Sequence, residues 1–230
     1  MIVIIPARGG SKRILNKNKK IFNGVPIIAR VIKNLEAIPK ISRIIVSTDE
    51  NEIATIAKNV GGEVPFIRPD NISYDHTDTI SVVKHAIELL RIKENEIIGC
   101  VYPTSVFLNQ NLVKLTIDSV KSNPDVFSFF AKEFRHPIQR AFRLDQDNRV
   151  KFGQIEVNNL QTQDYETFYH DAGQIYGAYS STWQKENQII KNDSIAIIDS
   201  NFVSVDIDSV EDWKLAELLY NSVNRLGGEV

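Results

Sequence analysis

Residues 4–20 read IIPARGGSKRILNKNKK: an apolar run closed by proline, two glycines and a serine, then a row of cations. Arg8, Lys12, Arg13, Lys17, Lys19 and Lys20 place six positive charges within this short loop. The whole chain has 27 basic and 29 acidic residues, a formal net charge of −2. The positive charge is therefore local. A local cation cluster beside glycines calls for a local anion, and phosphate is the usual one.

The apolar run gives the fold its first element. IVIIP at 2–6 is a short β-branched run that suits a buried parallel strand. Outward from it the pattern alternates. Residues 25–38 carry Ile28, Val31, Ile32 and Leu35 at helical spacing, with Pro26 suited to the first turn. RIIVST (43–48) reads as a strand, and 50–62 as a helix stopped by Gly61 and Gly62. VPFIRP (64–69) is a brief extended piece. Residues 77–92 form the clearest helix, 97–103 a strand, 109–122 a helix and 125–132 an aromatic strand. Residues 133–170 are polar, with scattered hydrophobics and no sustained period, and read as a hairpin-like excursion. A strand resumes at 173–180, one or two more lie in 195–208, and 209–226 is the last helix, with Ser209 as N-cap and acidic residues in its first turn. This alternation predicts an α/β fold with a mostly parallel sheet. Ligands of such folds sit outside the carboxyl ends of the strands, where the glycine loop emerges.

Bulk properties bound the function. With 230 residues, 43% hydrophobic and 24% charged, the chain is an ordinary globular one, long enough for a sizeable core. The single Cys100 excludes an internal disulfide and fits a reducing cytoplasm; its apolar strand makes it plain core. No signal peptide is read at the apolar start, and no apolar run approaches a membrane span. The near-neutral charge argues against nucleic-acid binding. His76, His85 and His136 show no metal spacing.

The glycine loop is neither a Walker A loop, since Lys12 follows Ser11 rather than glycine, nor a Rossmann fingerprint, since there is no third glycine. What remains is a backbone nest in which Gly9, Gly10 and Ser11 turn N–H groups toward a phosphate, with Arg8, Lys12 and Lys17 neutralising it. The alternative is a surface loop with solvated lysines. Asn18 carries a donor and an acceptor, suited to a base or ribose edge. Near the other end of the chain, Asp206 and Asp208 stand two apart in VSVDID. On a strand such residues share a face, and two carboxylates there make a hard oxygen site for Mg²⁺. The alternative is that Asp208 only opens the turn before the last helix.

The spacing Arg8-Gly9-Gly10-Ser11-Lys12 followed by Lys17-Asn18 resembles the opening of the CMP-sialate synthetase family, the cytidylyltransferases that activate nonulosonic and related 2-keto sugar acids. The resemblance continues through IIVSTD (44–49), FIRP (66–69), YPTS (102–105) and SVDID (204–208), nearly the whole chain in order. RHPIQRAF (135–142), TQDYETFYHDAGQIY (162–176) and DHTDT (75–79) are similar to the branch that uses pseudaminic acid. The resemblance implies a single domain over 1–230 with a Rossmann-like nucleotidyltransferase fold. Residues 133–170 would be a protruding arm that makes a homodimer. It implies an Mg²⁺-dependent, cytoplasmic enzyme that joins CTP to a nonulosonic acid, with Lys17, Asp206 and Asp208 in the reaction. Arg8, Gly10, Ser11, Lys12, Asn18, Arg68 and Thr79 would form the nucleotide side.

For the sugar, amides suit acetamido groups and arginine suits a carboxylate, which points to Gln139, Gln174 and Arg140. Tyr102 stands where relatives that use sialic acid often carry glutamine, and Gln161 stands where an arginine is usual, so Arg140 is expected to take the carboxylate. Two alternatives stay open: the same reaction on sialic or legionaminic acid, and a non-catalytic nucleotide-binding protein of this fold.

Overall fold

The computed structural model describes residues 1–74, 76–152, 161, 165–199 and 202–225. Asp75 and residues 162–164, which belong to two of the quoted stretches, lie outside the described residues, as does part of the 133–170 excursion.

Strands β1 (Ile2–Pro6), β4 (Arg43–Ser47) and β5 (Ile97–Val101) form the parallel heart of a six-stranded sheet. β1 lies between the other two, with Ile4 opposite Ile45 on one side and Cys100 on the other. Val3, Ile4 and Ile5 are fully buried, because a parallel strand covered on both faces leaves no side for water. The full order is β10-β6-β9-β5-β1-β4, where β6 is Ser128–Glu133, β9 Tyr169–Tyr179 and β10 Ile195–Ile198. β9 runs antiparallel to β5, so the mostly parallel sheet turns direction there. A return from the excursion brings the chain back beside β5 in the opposite sense, which no residue pattern announced.

The helices follow the expected spacing. α1 (Ile27–Glu36) buries Ile28, Val31, Ile32 and Leu35; α2 is Asn51–Lys58, α3 Thr79–Leu89 and α4 Gln110–Ser122. Pro26 stands just before α1 rather than within its first turn. The reason is a small hairpin: β2 (Ile21–Phe22) pairs with β3 (Val25–Pro26) across Asn23 and Gly24, both at positive φ. That two-residue Asn-Gly turn matches the twist of paired strands and holds Pro26 in an extended state. A short helix, α5 (Ser180–Lys185), follows β9 and was not expected.

The last helix, α6 (Val210–Arg225), docks through aromatics. Phe22, fully buried, meets Trp213 edge-on at 5.5 Å and Tyr220 at 5.4 Å between ring centres. Lys20 lies 4.7 Å over the Trp213 ring. The stretch 195–208, expected to hold one or two strands, holds one, β10, and segment 202–208 is not in a ladder. It keeps an extended alternation instead: Phe202, Val205 and Ile207 are buried, while Asp206 is exposed. Its inward residues are held by core packing, so it needs no neighbouring strand.

The chain divides into two compact units, one of residues 1–130 and 172–230 and one of 131–171. Within the second, β7 (Phe142–Leu144) and β8 (Val150–Phe152) pair antiparallel, with Phe142 opposite Phe152.

The aromatic clamp gives a direct stability test. Phe22→Ala removes a buried ring between Trp213 and Tyr220 and is expected to cost about 3–5 kcal/mol. Urea unfolding followed by tryptophan fluorescence measures it. A loss below about 1 kcal/mol would mean that α6 does not depend on this contact.

Candidate active site

The carboxyl ends of β1, β4 and β5 point to one edge of the sheet. The chain leaves them as Ala7-Arg8-Gly9, Thr48-Asp49-Glu50 and Tyr102-Pro103-Thr104. Gly9 N–H donates to Asp49 Oδ1 at 2.9 Å, which ties the first loop to the second. Ser11 N–H donates to Gly9 O at 3.0 Å. Two of the three amides expected to face an anion are thus engaged within the protein, a correction to the open nest. Gly10 is exposed, and a Cβ there would meet nothing within 4 Å.

Beyond the glycines, Lys17–Lys19 form a 3-10 turn. Asn18, 6% exposed, donates from Nδ2 to the Arg8 carbonyl at 2.8 Å, so it braces the loop from inside. Lys19 pairs with Glu50 and Glu52. Lys17 reaches across the chain: its Nζ donates to Ile207 O at 2.7 Å and to Asp208 Oδ1 at 3.3 Å. Arg13 donates to the other carboxylate oxygen of Asp208 at 2.7 Å. Lys12 is exposed.

Asp208 is itself set by the start of α6. Ser209 and Asp212 form a reciprocal cap: Asp212 N–H donates to Ser209 Oγ at 3.1 Å, and Asp212 Oδ2 accepts from Ser209 N at 2.8 Å. The same oxygen accepts from Asp208 N at 3.1 Å. Burial pushes the Asp212 carboxyl up, but the bonds from Ser209 and Asp208, with Lys17 nearby, more than offset this, and the net direction is down. Ser209 is the N-cap, as expected, with a capping-box partner that the sequence reading did not name.

Arg68 is a buried cation, at 4% exposure. Its backbone N–H donates to Thr48 O at 2.7 Å, its Nε to Ser73 Oγ at 3.2 Å, and its guanidinium lies 3.7 Å from Asp49. Burial pulls its pKa down, Asp49 opposes this, and the like charge of Arg8 adds to it. Arginine keeps its charge regardless, so two cations near one carboxylate leave a place electrically suited to an anion.

Tyr102 and Thr79 meet, with their hydroxyls 3.2 Å apart. Tyr102 also packs on Tyr176 at 5.5 Å. Gln174 lies behind: its carbonyl accepts from Ser105 Oγ at 2.9 Å and Tyr102 N at 3.4 Å. Its side chain is 2% exposed, and among the described residues Oε1 has no hydrogen-bond partner. An unpaired buried carbonyl costs about 1–3 kcal/mol, so a plain core would favour an apolar residue there.

Within the first unit the contacts gather these residues in three places: Arg8, Ser11, Asn18 and Arg68 around Gly9 and Asp49, Lys17 on Asp208, and Thr79, Tyr102 and Gln174 together. Asp206 adjoins Gly173, next to Gln174. Gln139 and Arg140 belong to the second unit, where Gln139 Nε2 donates to Glu166 O at 3.1 Å and Arg140 lies 5.4 Å over Tyr165. Sequence reasoning passed over Asp49, Arg13 and Asp212 as site residues. Asp49 had a signal, a carboxylate at the end of a parallel strand, and Arg13 was in the basic run. The link from Asp212 to Asp208 had none.

A family model described as cytidylyltransferase matches residues 2–212. The chain belongs to the cytidylyltransferase family. This cytidylyltransferase is 38% identical over 223 residues, 95% of each chain, to the pseudaminic acid cytidylyltransferase of Campylobacter jejuni subsp. jejuni serotype O:23/36 (strain 81-176). It is 29% identical, over 95% of each chain, to the CMP-N,N′-diacetyllegionaminic acid synthase of Legionella pneumophila subsp. pneumophila (strain Philadelphia 1). Among solved structures it resembles CMP:2-keto-3-deoxy-manno-octonic acid synthetase complexed with CTP, with a TM-score of 0.69, 12% identity, and 96% of this chain and 98% of that one covered. That likeness shows the Rossmann-like nucleotidyltransferase fold. Within this cytidylyltransferase, no described helix is long and apolar enough to cross a membrane.

The cap on α6 predicts a pH response. The Asp212 carboxyl is held below its ordinary value of about 3.9. Its contribution is therefore complete above that value and is lost as pH falls through the lower folded one. Asp212→Ala is expected to cost about 0.5–2 kcal/mol at pH 7. It should also lessen the fall in Tm as pH drops below the ordinary carboxylate range. Equal acid sensitivity of the two proteins, read by calorimetry, would remove Asp212 from that response.

Proposed function

We propose that this chain transfers CMP from CTP to a 2-keto nonulosonic acid, pseudaminic acid first, with release of pyrophosphate. The observation that carries this reading is the meeting of Arg13 and Lys17 with Asp208 at the carboxyl edge of the sheet. Cations suited to a triphosphate and carboxylates suited to a divalent ion share one place. The Campylobacter relative supports the choice of sugar.

In this reading Arg8, Gly10, Ser11, Lys12 and Lys17 hold the triphosphate, and Arg68 and Thr79 belong to the nucleotide side. Asn18, which gives one Nδ2 hydrogen to the Arg8 carbonyl, keeps its second amide hydrogen and its side-chain carbonyl for a base or ribose edge. By residue type, Tyr102 and Gln174 are proposed for the sugar acid in the first unit, and Gln139 and Arg140 in the second, with Arg140 for the carboxylate. The anomeric hydroxyl attacks the α-phosphorus as the bond to pyrophosphate breaks, so alignment and charge neutralisation dominate.

Asp206 and Asp208 would hold Mg²⁺. They alternate with the buried Val205 and Ile207, which supports a shared outward side. Among the described residues no group of three His, Cys, Asp or Glu could enclose a metal. That donor set suits Mg²⁺, which takes one or two carboxylates and completes its shell with phosphate oxygens and water. When bound, the ion would neutralise charge on the α-phosphate and leaving pyrophosphate and lower the pKa of the attacking hydroxyl. Asp208 would then release Arg13 and Lys17, freeing both cations for the phosphates.

The need for CTP, together with the single Cys100, which fits a reducing compartment, supports a cytoplasmic setting. The homodimer is proposed through 133–170. Phe142, Leu144, Val150 and Phe152 are all exposed on the β7–β8 hairpin and need a cover. Light scattering is expected to give twice 26.1 kDa, and 26.1 kDa at every working concentration would exclude the dimer.

The function is tested by pyrophosphate release from CTP across a panel of pseudaminic, legionaminic and N-acetylneuraminic acids. Pseudaminic acid is expected to give the highest kcat/KM, because a wrong sugar leaves buried amide groups unpaired. Asp208→Asn should lower its turnover about 10–100-fold or more. Equal turnover of all three sugars overturns the narrower choice. Release on none of them favours a nucleotide-binding protein without catalysis. The Legionella relative makes legionaminic acid the second reading.

A further inference from the structure

Gly173 and Gln174 are neighbours in β9, and both touch segment 202–208. Gly173 has φ +62°, in the left-handed region. A Cβ built there would lie 3.1 Å from Asp206 Cγ and 3.2 Å from Asp206 Oδ1. The Asp206 carboxylate therefore rests against bare backbone. Gln174 donates from Nε2 to Val205 O at 3.4 Å and to Ala172 O at 3.2 Å. Its own carbonyl is pinned by Ser105 Oγ and Tyr102 N.

The segment they touch has no ladder to fix it. Its far half is held by Lys17 on Ile207 O and by Asp212 on Asp208 N. Its near half, Val205 and Asp206, is held by Gly173 and Gln174. Two carboxylates that must share one ion need both halves in register, since ligand position governs metal affinity.

We propose that Gly173 and Gln174 are positioning residues, which set the Asp206 carboxylate where a metal–nucleotide complex binds. The proposal rests on the reading of Asp206 as a metal ligand. Glycine serves twice: for its left-handed backbone, and because a Cβ there would displace the carboxylate by a few tenths of an ångström. The donor end of Gln174 is committed to the segment, which leaves only its Oε1 for a substrate.

The test uses Mn²⁺ as the probe, with CTP present and no sugar acid, and binding followed by water proton relaxation. Gly173→Ala is expected to weaken Mn²⁺–CTP binding about 10–100-fold, with metal-free CTP binding unchanged. Asp206→Ala should show a similar loss, and the double variant no more than Asp206→Ala alone. Wild-type Mn²⁺ affinity in Asp206→Ala would overturn the metal reading. A loss in Asp206→Ala with none in folded Gly173→Ala would overturn the positioning role alone. If Gly173→Ala does not fold, Gly173→Asn keeps a residue that tolerates positive φ but still adds a Cβ. Wild-type affinity there overturns the proposal equally. Gln174→Met removes the donor to Val205 and is expected to lose affinity in the same direction; wild-type affinity would remove Gln174 from the pair.

Discussion

The Lys17 ammonium holds the site together. It joins the first loop of the chain to residues 207 and 208 through a backbone carbonyl and a carboxylate. With only 20% of its side chain exposed, it could not sit there without those partners. A charge-assisted bond of this kind is worth about 1.5–3 kcal/mol. Its larger consequence is geometric, because it fixes the distance between a cationic loop and a pair of carboxylates. The aromatic clamp of Phe22 on Trp213 and Tyr220 supplies the apolar half of the same junction.

Around that junction, protein carboxylates partner the cations. Asp49 accepts from Gly9 and neighbours Arg68, and Asp208 accepts from Arg13 and Lys17. Each cation is thus partnered within the protein, which lowers the cost of gathering like charges at one sheet edge. In the proposed function a triphosphate replaces those partners, and the carboxylates turn to the metal. The exchange conserves charge pairing on both sides.

The second unit follows other rules. Its hairpin leaves four large apolar residues exposed, and its polar contacts are local, such as Gln139 on the Glu166 carbonyl. Residues there are proposed for the sugar acid and a partner subunit, and the cations proposed for the nucleotide belong to the first unit.

The sequence by itself determined the α/β alternation, the helix positions, the cation loop and the Asp206–Asp208 pair. Each is a local pattern: β-branched runs, a 3.6-residue period, glycines beside lysines, a two-residue step. The spacing of Arg8, Ser11, Lys12, Lys17 and Asn18 was enough to indicate the family. Only the tertiary structure decided the reversal of β9, the Asn23-Gly24 hairpin that displaces Pro26 from α1, and the absence of a ladder at 202–208. It also decided that Gly9 and Ser11 spend their amides inside the protein, that Asp212 steers Asp208, and that Gly173 lies under Asp206. The physical reason is reach. Periodicity reports which face of an element is buried, but a hydrogen bond between residues 40 or 190 positions apart depends on where the sheet carries them.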